Sequence, residues 1–85
     1  MSRKLFVAKL PYDMTEAELR TTFESFGTLK SVRVIMDRDT KTSKGFGFVE
    51  FESDIDAARA ITALDGAQAG SMKLVVKPAE ERGAR

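Results

Sequence analysis

The stretch Lys44-Gly45-Phe46-Gly47-Phe48-Val49-Glu50-Phe51 constrains this chain more than any other. Read as a strand, its side chains alternate between two faces. Gly45, Gly47, Val49 and Phe51 then point one way, and Lys44, Phe46, Phe48 and Glu50 the other. The first face has a branched and an aromatic residue to bury. The second carries two large aromatics beside a lysine. Flat π faces next to a cation suit nucleotide bases and phosphates.

The rest of the chain supplies a sheet around this strand. Leu5-Phe6-Val7-Ala8, preceded by Arg3 and Lys4 and closed by Leu10 and Pro11, reads as a first strand. Leu5 and Val7 share one face; Lys4, Phe6 and Ala8 share the other. Thr15 and Glu18 form a capping box, and Leu19, Phe23 and Phe26 follow at helical spacing, which predicts a helix over about residues 15–26. Gly27 stands where a left-handed residue ends a helix. Residues 28–36 read as a second strand, with Val32 and Val34 towards the core and Arg33 and Ile35 opposite. The polar run 37–43 is a loop, so the second and third strands form a hairpin.

Ser53 opens a second helix with Asp54 and Asp56 in its first turn, and Ala57, Ala60, Ile61 and Leu64 form its apolar stripe. Gly66 ends it, and 67–71 read as a loop of small residues. Residues 72–77 form a fourth strand that Pro78 stops, with Leu74 and Val76 inward and Lys73, Val75 and Lys77 outward. Residues 1–79 are expected to be one domain, and the charged tail 80–85 to be loose.

Each helix has one apolar stripe, so both cover the same sheet face. With right-handed crossovers, the expected fold class is α+β: a ferredoxin-like βαββαβ sandwich with a four-stranded antiparallel sheet and two helices on one face. The other face stays uncovered and carries Phe6, Phe46, Phe48, Lys4, Arg33, Lys44 and Lys77.

Composition removes several function classes. The chain of 85 residues has no cysteine and no histidine, which excludes disulfides, thiolate or imidazole metal sites and imidazole catalysis. No apolar run approaches membrane-spanning length. Its carboxylates fall on helix exteriors, so neither an enzyme nor a cofactor is implied. Gly45-Phe46-Gly47 is not a dinucleotide loop: Glu50 occupies the third glycine's place, and a strand pattern follows. The net charge of +1 conceals a segregation. Residues 13–26 hold four acids against Arg20 alone, and 50–65 hold five against Arg59 alone. The strands and hairpin loop hold most of the cations, Lys9 and Lys41 among them. Lysines often do no more than solvate edges; with aromatics between them they outline a platform for single-stranded nucleic acid.

These residues resemble the RNA recognition motif family. Its octamer reads Lys/Arg-Gly-Phe/Tyr-Gly/Ala-Phe-Val-x-Phe/Tyr, which residues 44–51 match at every defined position. Leu5-Phe6-Val7-Ala8-Lys9-Leu10 is similar to the family's first-strand hexamer at four of its six places. The resemblance spans Lys4 to about Ala79. It implies that Phe6 and Phe48 each stack a base, that Phe46 packs against sugars, and that Lys44 contacts phosphate. Arg33, Lys4, Lys9, Lys41 and Lys77 would add cations. Phe51 and Val49 would hold the core. Three positions depart from the family pattern. Lys9 stands where asparagine is frequent, Lys41 where a loop glycine is common, and Val75 where a polar or basic residue is usual.

The expected partner is single-stranded RNA, with single-stranded DNA as a second candidate, bound by a monomer without a membrane. A post-transcriptional role follows. A chain with its own Met1 and short tails is similar to small bacterial RNA-binding proteins, which points to the bacterial cytoplasm; a nuclear or organellar protein is the eukaryotic counterpart. The competing reading is a protein-interaction member of the family that grips a peptide or self-associates. Such variants usually lose the octamer aromatics, and this sequence keeps them.

Overall fold

The computed structural model describes residues 3–11, 13–36, 39, 43–69 and 72–79, with the side chains of Ser43, Lys44, Ala69 and Met72 outside that description. The element order is β1 (Lys4–Ala8), α1 (Glu16–Glu24), β2 (Leu29–Met36), β3 (Ser43–Phe51), α2 (Asp54–Leu64), β4 (Gln68–Ala69), β5 (Met72–Lys73) and β6 (Val75–Pro78). The main sheet runs β2-β3-β1-β6, with antiparallel pairing throughout. This is the ferredoxin-like arrangement, with β1 and β3 at the centre. No described helix is long and apolar enough to cross a membrane.

The helices start where local chemistry places them. Thr15 and Glu18 form the reciprocal capping box: the Glu18 N–H donates to Thr15 Oγ1 at 3.1 Å, and the Thr15 N–H donates to Glu18 Oε1 at 3.0 Å. Ser53 caps α2 by accepting from the Asp56 N–H. Such caps each contribute about 1 kcal/mol by satisfying amides that the helix leaves unpaired. At the far end of α1, Gly27 does not take the left-handed helical conformation. Its φ is 158°, and a side chain there would overlap the carboxylate of Asp56. Glycine is needed at that point because α2 packs closely on it.

The core lies between the sheet and both helices. Leu5, Val7, Leu10, Leu19, Phe23, Val49, Phe51, Ala57 and Ala60 are fully buried there. Phe26 packs against this cluster from just beyond α1. The rings of Phe23 and Phe51 meet edge to face, 6.4 Å between centroids, a geometry that adds roughly 0.5–1.5 kcal/mol to the area buried.

Two expectations are corrected at the C-terminal side. The single strand expected at 72–77 is broken at Leu74. Met72–Lys73 pairs with Gln68–Ala69, part of the run read as a loop, in a separate two-stranded ribbon. Only Val75–Pro78 joins the main sheet. The Leu74 N–H donates to Ala67 O at 2.9 Å, and the Gly66 N–H donates to Leu74 O at 2.7 Å, so backbone bonds to the turn after α2 interrupt the strand. Pro78 lies inside β6 rather than beyond it, opposite Leu5. The following amide, Ala79 N–H, donates inward to Lys4 O at 2.8 Å. Inward amides alternate along an antiparallel strand, so Pro78 falls at an outward position where no N–H is required. The expected tail, 80–85, lies outside the described residues.

Carboxylates from the helical layer close both outer strands. On β2, the Val34 N–H donates to Glu16 Oε2 at 3.1 Å; on β6, the Val76 N–H donates to Asp65 Oδ1 at 2.9 Å. Unpaired edge amides are templates for pairing with another chain, and here one such amide on each outer strand is taken by one of the chain's own acids.

Candidate nucleic-acid interface

The helices leave one sheet face open, and strand register decides what lines up on it. Arg33 pairs with Phe48, Phe48 with Phe6, and Phe6 with Lys77. One row therefore crosses all four strands as Arg33-Phe48-Phe6-Lys77, with two rings at the centre and a cation at each end. Phe46 occupies the next row, opposite Ala8.

The three rings form a compact group. Phe6 lies 5.6 Å from Phe46 and 5.7 Å from Phe48 between centroids, at interplanar angles of 41° and 57°. Because each ring leans on another, all three are half-buried rather than fully exposed. The Lys4 ammonium sits over Phe48, 5.3 Å from its centroid, within the range of a cation–π contact. Arg33, Lys77 and Lys9 are exposed. Val49 and Phe51, on the opposite face of β3, are fully buried.

Lys9 follows β1 with φ 63°, the only non-glycine residue with positive φ among those described. The left-handed region favours asparagine among residues with a side chain, so the asparagine usual in the family hexamer has a conformational reason that lysine lacks. The backbone of Gly45 also needs its residue type, with φ 87°. Lys41 lies outside the described residues, as does the side chain of Lys44; both remain candidates on sequence grounds.

Glu50 and Ser31 share this face and were not among the sequence candidates. Glu50 pairs with Lys4 on one side and Ser31 on the other. Strand alternation already placed Glu50 there; its neighbours depended on cross-strand register. Beyond the face, Arg59 and Asp56 form an ion pair on α2, at 3.7 Å.

The arrangement offers planar apolar surface for stacking, with cations around it and no cleft needed for entry. The known proteins that resemble the chain fit this. The RNA recognition motif family model matches residues 5–75, which takes in all three rings and leaves Lys4 and Lys77 just outside. RNA-binding protein RbpB of Nostoc sp. is 44% identical over 82 residues, covering 93% of this chain and 80% of the relative. Glycine-rich RNA-binding protein 2, mitochondrial, of Arabidopsis thaliana is 40% identical, covering 96% of this chain and 52% of the relative. Among solved structures, the Sxl-lethal protein/RNA complex superposes with a TM-score of 0.90 at 36% identity, covering 94% of this chain and 48% of that one. The chain thus spans about half the length of these last two proteins.

Proposed function

Given that this chain belongs to the RNA recognition motif family, we propose that it binds single-stranded RNA across the open face of its sheet. The observation that carries this reading is the in-register row Arg33-Phe48-Phe6-Lys77. Two neighbouring bases stack on Phe48 and Phe6, and the cations at the row's ends meet the backbone on either side. Stacking contributes roughly 1–3 kcal/mol per base and tolerates any base, since each has a π face. Phe46 packs against the sugars between them.

Arg33, Lys77, Lys4 and Lys9, with Lys44 and Lys41 from β3 and the hairpin loop, supply the phosphate contacts. Each neutralised phosphate lowers the salt-dependence slope by about 0.7 on a single strand. Two to four nucleotides span the face, and one domain alone binds modestly. Single-stranded DNA fits the stacking chemistry equally; the 2′-hydroxyl is what would separate the two. The protein acts as a monomeric binding module without a chemical step, in a post-transcriptional role. The Nostoc and mitochondrial relatives favour the bacterial cytoplasm or an organelle as its setting.

Amide chemical-shift mapping with a random-sequence RNA pool tests this reading. Shifts concentrated on β1, β3 and the parts of β2 and β6 around Arg33 and Lys77 are expected. Shifts confined to α1 and α2, or none with RNA and a response to peptide, would contradict it.

A further inference from the structure

A carboxylate on a face that receives a polyanion costs phosphate affinity, yet Glu50 lies on that face. It follows Phe48 by two residues on the same side of β3, about 6.8 Å along the strand, and is half-buried. Its cross-strand neighbours are Lys4 and Ser31. The Ser31 hydroxyl donates a long hydrogen bond to Glu50 Oε1 at 3.5 Å, and the Lys4 ammonium lies over the Phe48 ring. Glu50 is thus the next side chain along β3, on the same face, from the ring on which a base would stack.

We propose that Glu50 is a specificity-determining residue that selects guanine at the position beside Phe48. This rests on the RNA-binding reading above. An ionised carboxylate only accepts hydrogen bonds, with about four lone-pair sites over two oxygens. Guanine presents two adjacent donors on its Watson–Crick edge, N1–H and N2–H, which match those two oxygens as a bidentate pair. Adenine and cytosine present one amino group each. Uracil presents a single N3–H between two carbonyl oxygens that repel the carboxylate. The expected order is guanine first, then adenine and cytosine, then uracil. A good bidentate contact discriminates by roughly 5–150-fold.

The test compares the wild type with Glu50→Gln, using uracil heptamers that carry guanine, adenine or cytosine at the centre, in fluorescence anisotropy at fixed salt. The wild type should bind the guanine heptamer about 10-fold or more tightly than the all-uracil one. Glutamine keeps the shape but offers one acceptor and one donor, a pair that fits adjacent groups on the Watson–Crick edge of any of the four bases. The preference for guanine should therefore be lost in the variant while binding persists, which a merely structural role would not produce. Three results overturn the proposal while leaving RNA binding intact: no base preference in the wild type, the same preference in both proteins, or a uniform rise in affinity for every heptamer in the variant. The last would mean that Glu50 acts only by repelling phosphate. Absence of binding to any heptamer by the folded wild type would overturn the RNA reading itself, and this proposal with it.

Discussion

Asp65 holds the outer edge of the sheet through Val76: its Oδ1 accepts the Val76 N–H at 2.9 Å. The same residue ends α2, where its own N–H donates to Ile61 O at 3.0 Å. One side chain therefore joins the helical layer to β6, the strand that brings Lys77 to the open face. Asp65→Ala leaves a part-buried amide without its acceptor, at a cost of about 1–2 kcal/mol. Urea denaturation at neutral pH should show the midpoint falling, and Asp65→Asn, which keeps an acceptor oxygen, should recover most of the loss. An unchanged midpoint in the alanine variant would mean that the bond contributes nothing net.

Lys9 adopts φ 63° with a side chain attached. The left-handed conformation costs such a residue roughly 1–2 kcal/mol, while glycine's extra freedom when unfolded takes back part of any relief. Lys9→Gly should therefore gain about 0.5–1 kcal/mol of stability. It should also flatten the salt dependence of RNA binding by about 0.7 in slope if Lys9 meets a phosphate. Denaturant titration and affinity against salt read the two effects separately. Lower stability in the variant would contradict the conformational argument, and an unchanged slope would remove Lys9 from the interface.

Gly45 shows the same physics with the opposite sign. Its φ is 87°, and an added Cβ would meet only Leu10 O, at 3.8 Å. Space is available there; a suitable backbone conformation for a larger residue is not. Gly45→Ala should destabilise the domain by about 1–2 kcal/mol. In a domain of this size that lowers Tm by roughly 4–8 °C for each kcal/mol. A Tm equal to that of the wild type would show that the strand can relax at this point.

Features written in neighbouring residues were legible in the sequence. The capping box at Thr15 and Glu18 and the period-two pattern at Leu5 and Val7 depend on spacing within one element, and the structure keeps them. So was the division of residues 45–51 into a buried face and an open one, since alternation alone imposes it. Features that depend on where distant segments meet were not legible. The pairing of β2 with β3 shifts register between Leu29 and Ser31 and again between Val34 and Met36, so no count from the loop would have set Arg33 opposite Phe48. Glu16 and Asp65 read as solvated helix acids, because their partners, Val34 and Val76, lie 18 and 11 residues away. The break at Leu74 came from backbone bonds to Gly66 and Ala67, which no apolar pattern encodes.

The stacking account stands or falls on the double variant Phe46→Ala, Phe48→Ala, titrated with single-stranded RNA and followed by far-ultraviolet circular dichroism. Both rings lie on the face away from the core, half-buried mainly against Phe6 and Lys4. Their loss should leave the spectrum in place and weaken RNA binding by at least about 10-fold. Phe51→Ala is the control on the other face, where a fully buried ring is removed at about 3–5 kcal/mol of stability. A folded double variant with weakened binding is the result expected; a folded double variant that binds RNA as tightly as the wild type would contradict stacking on this face.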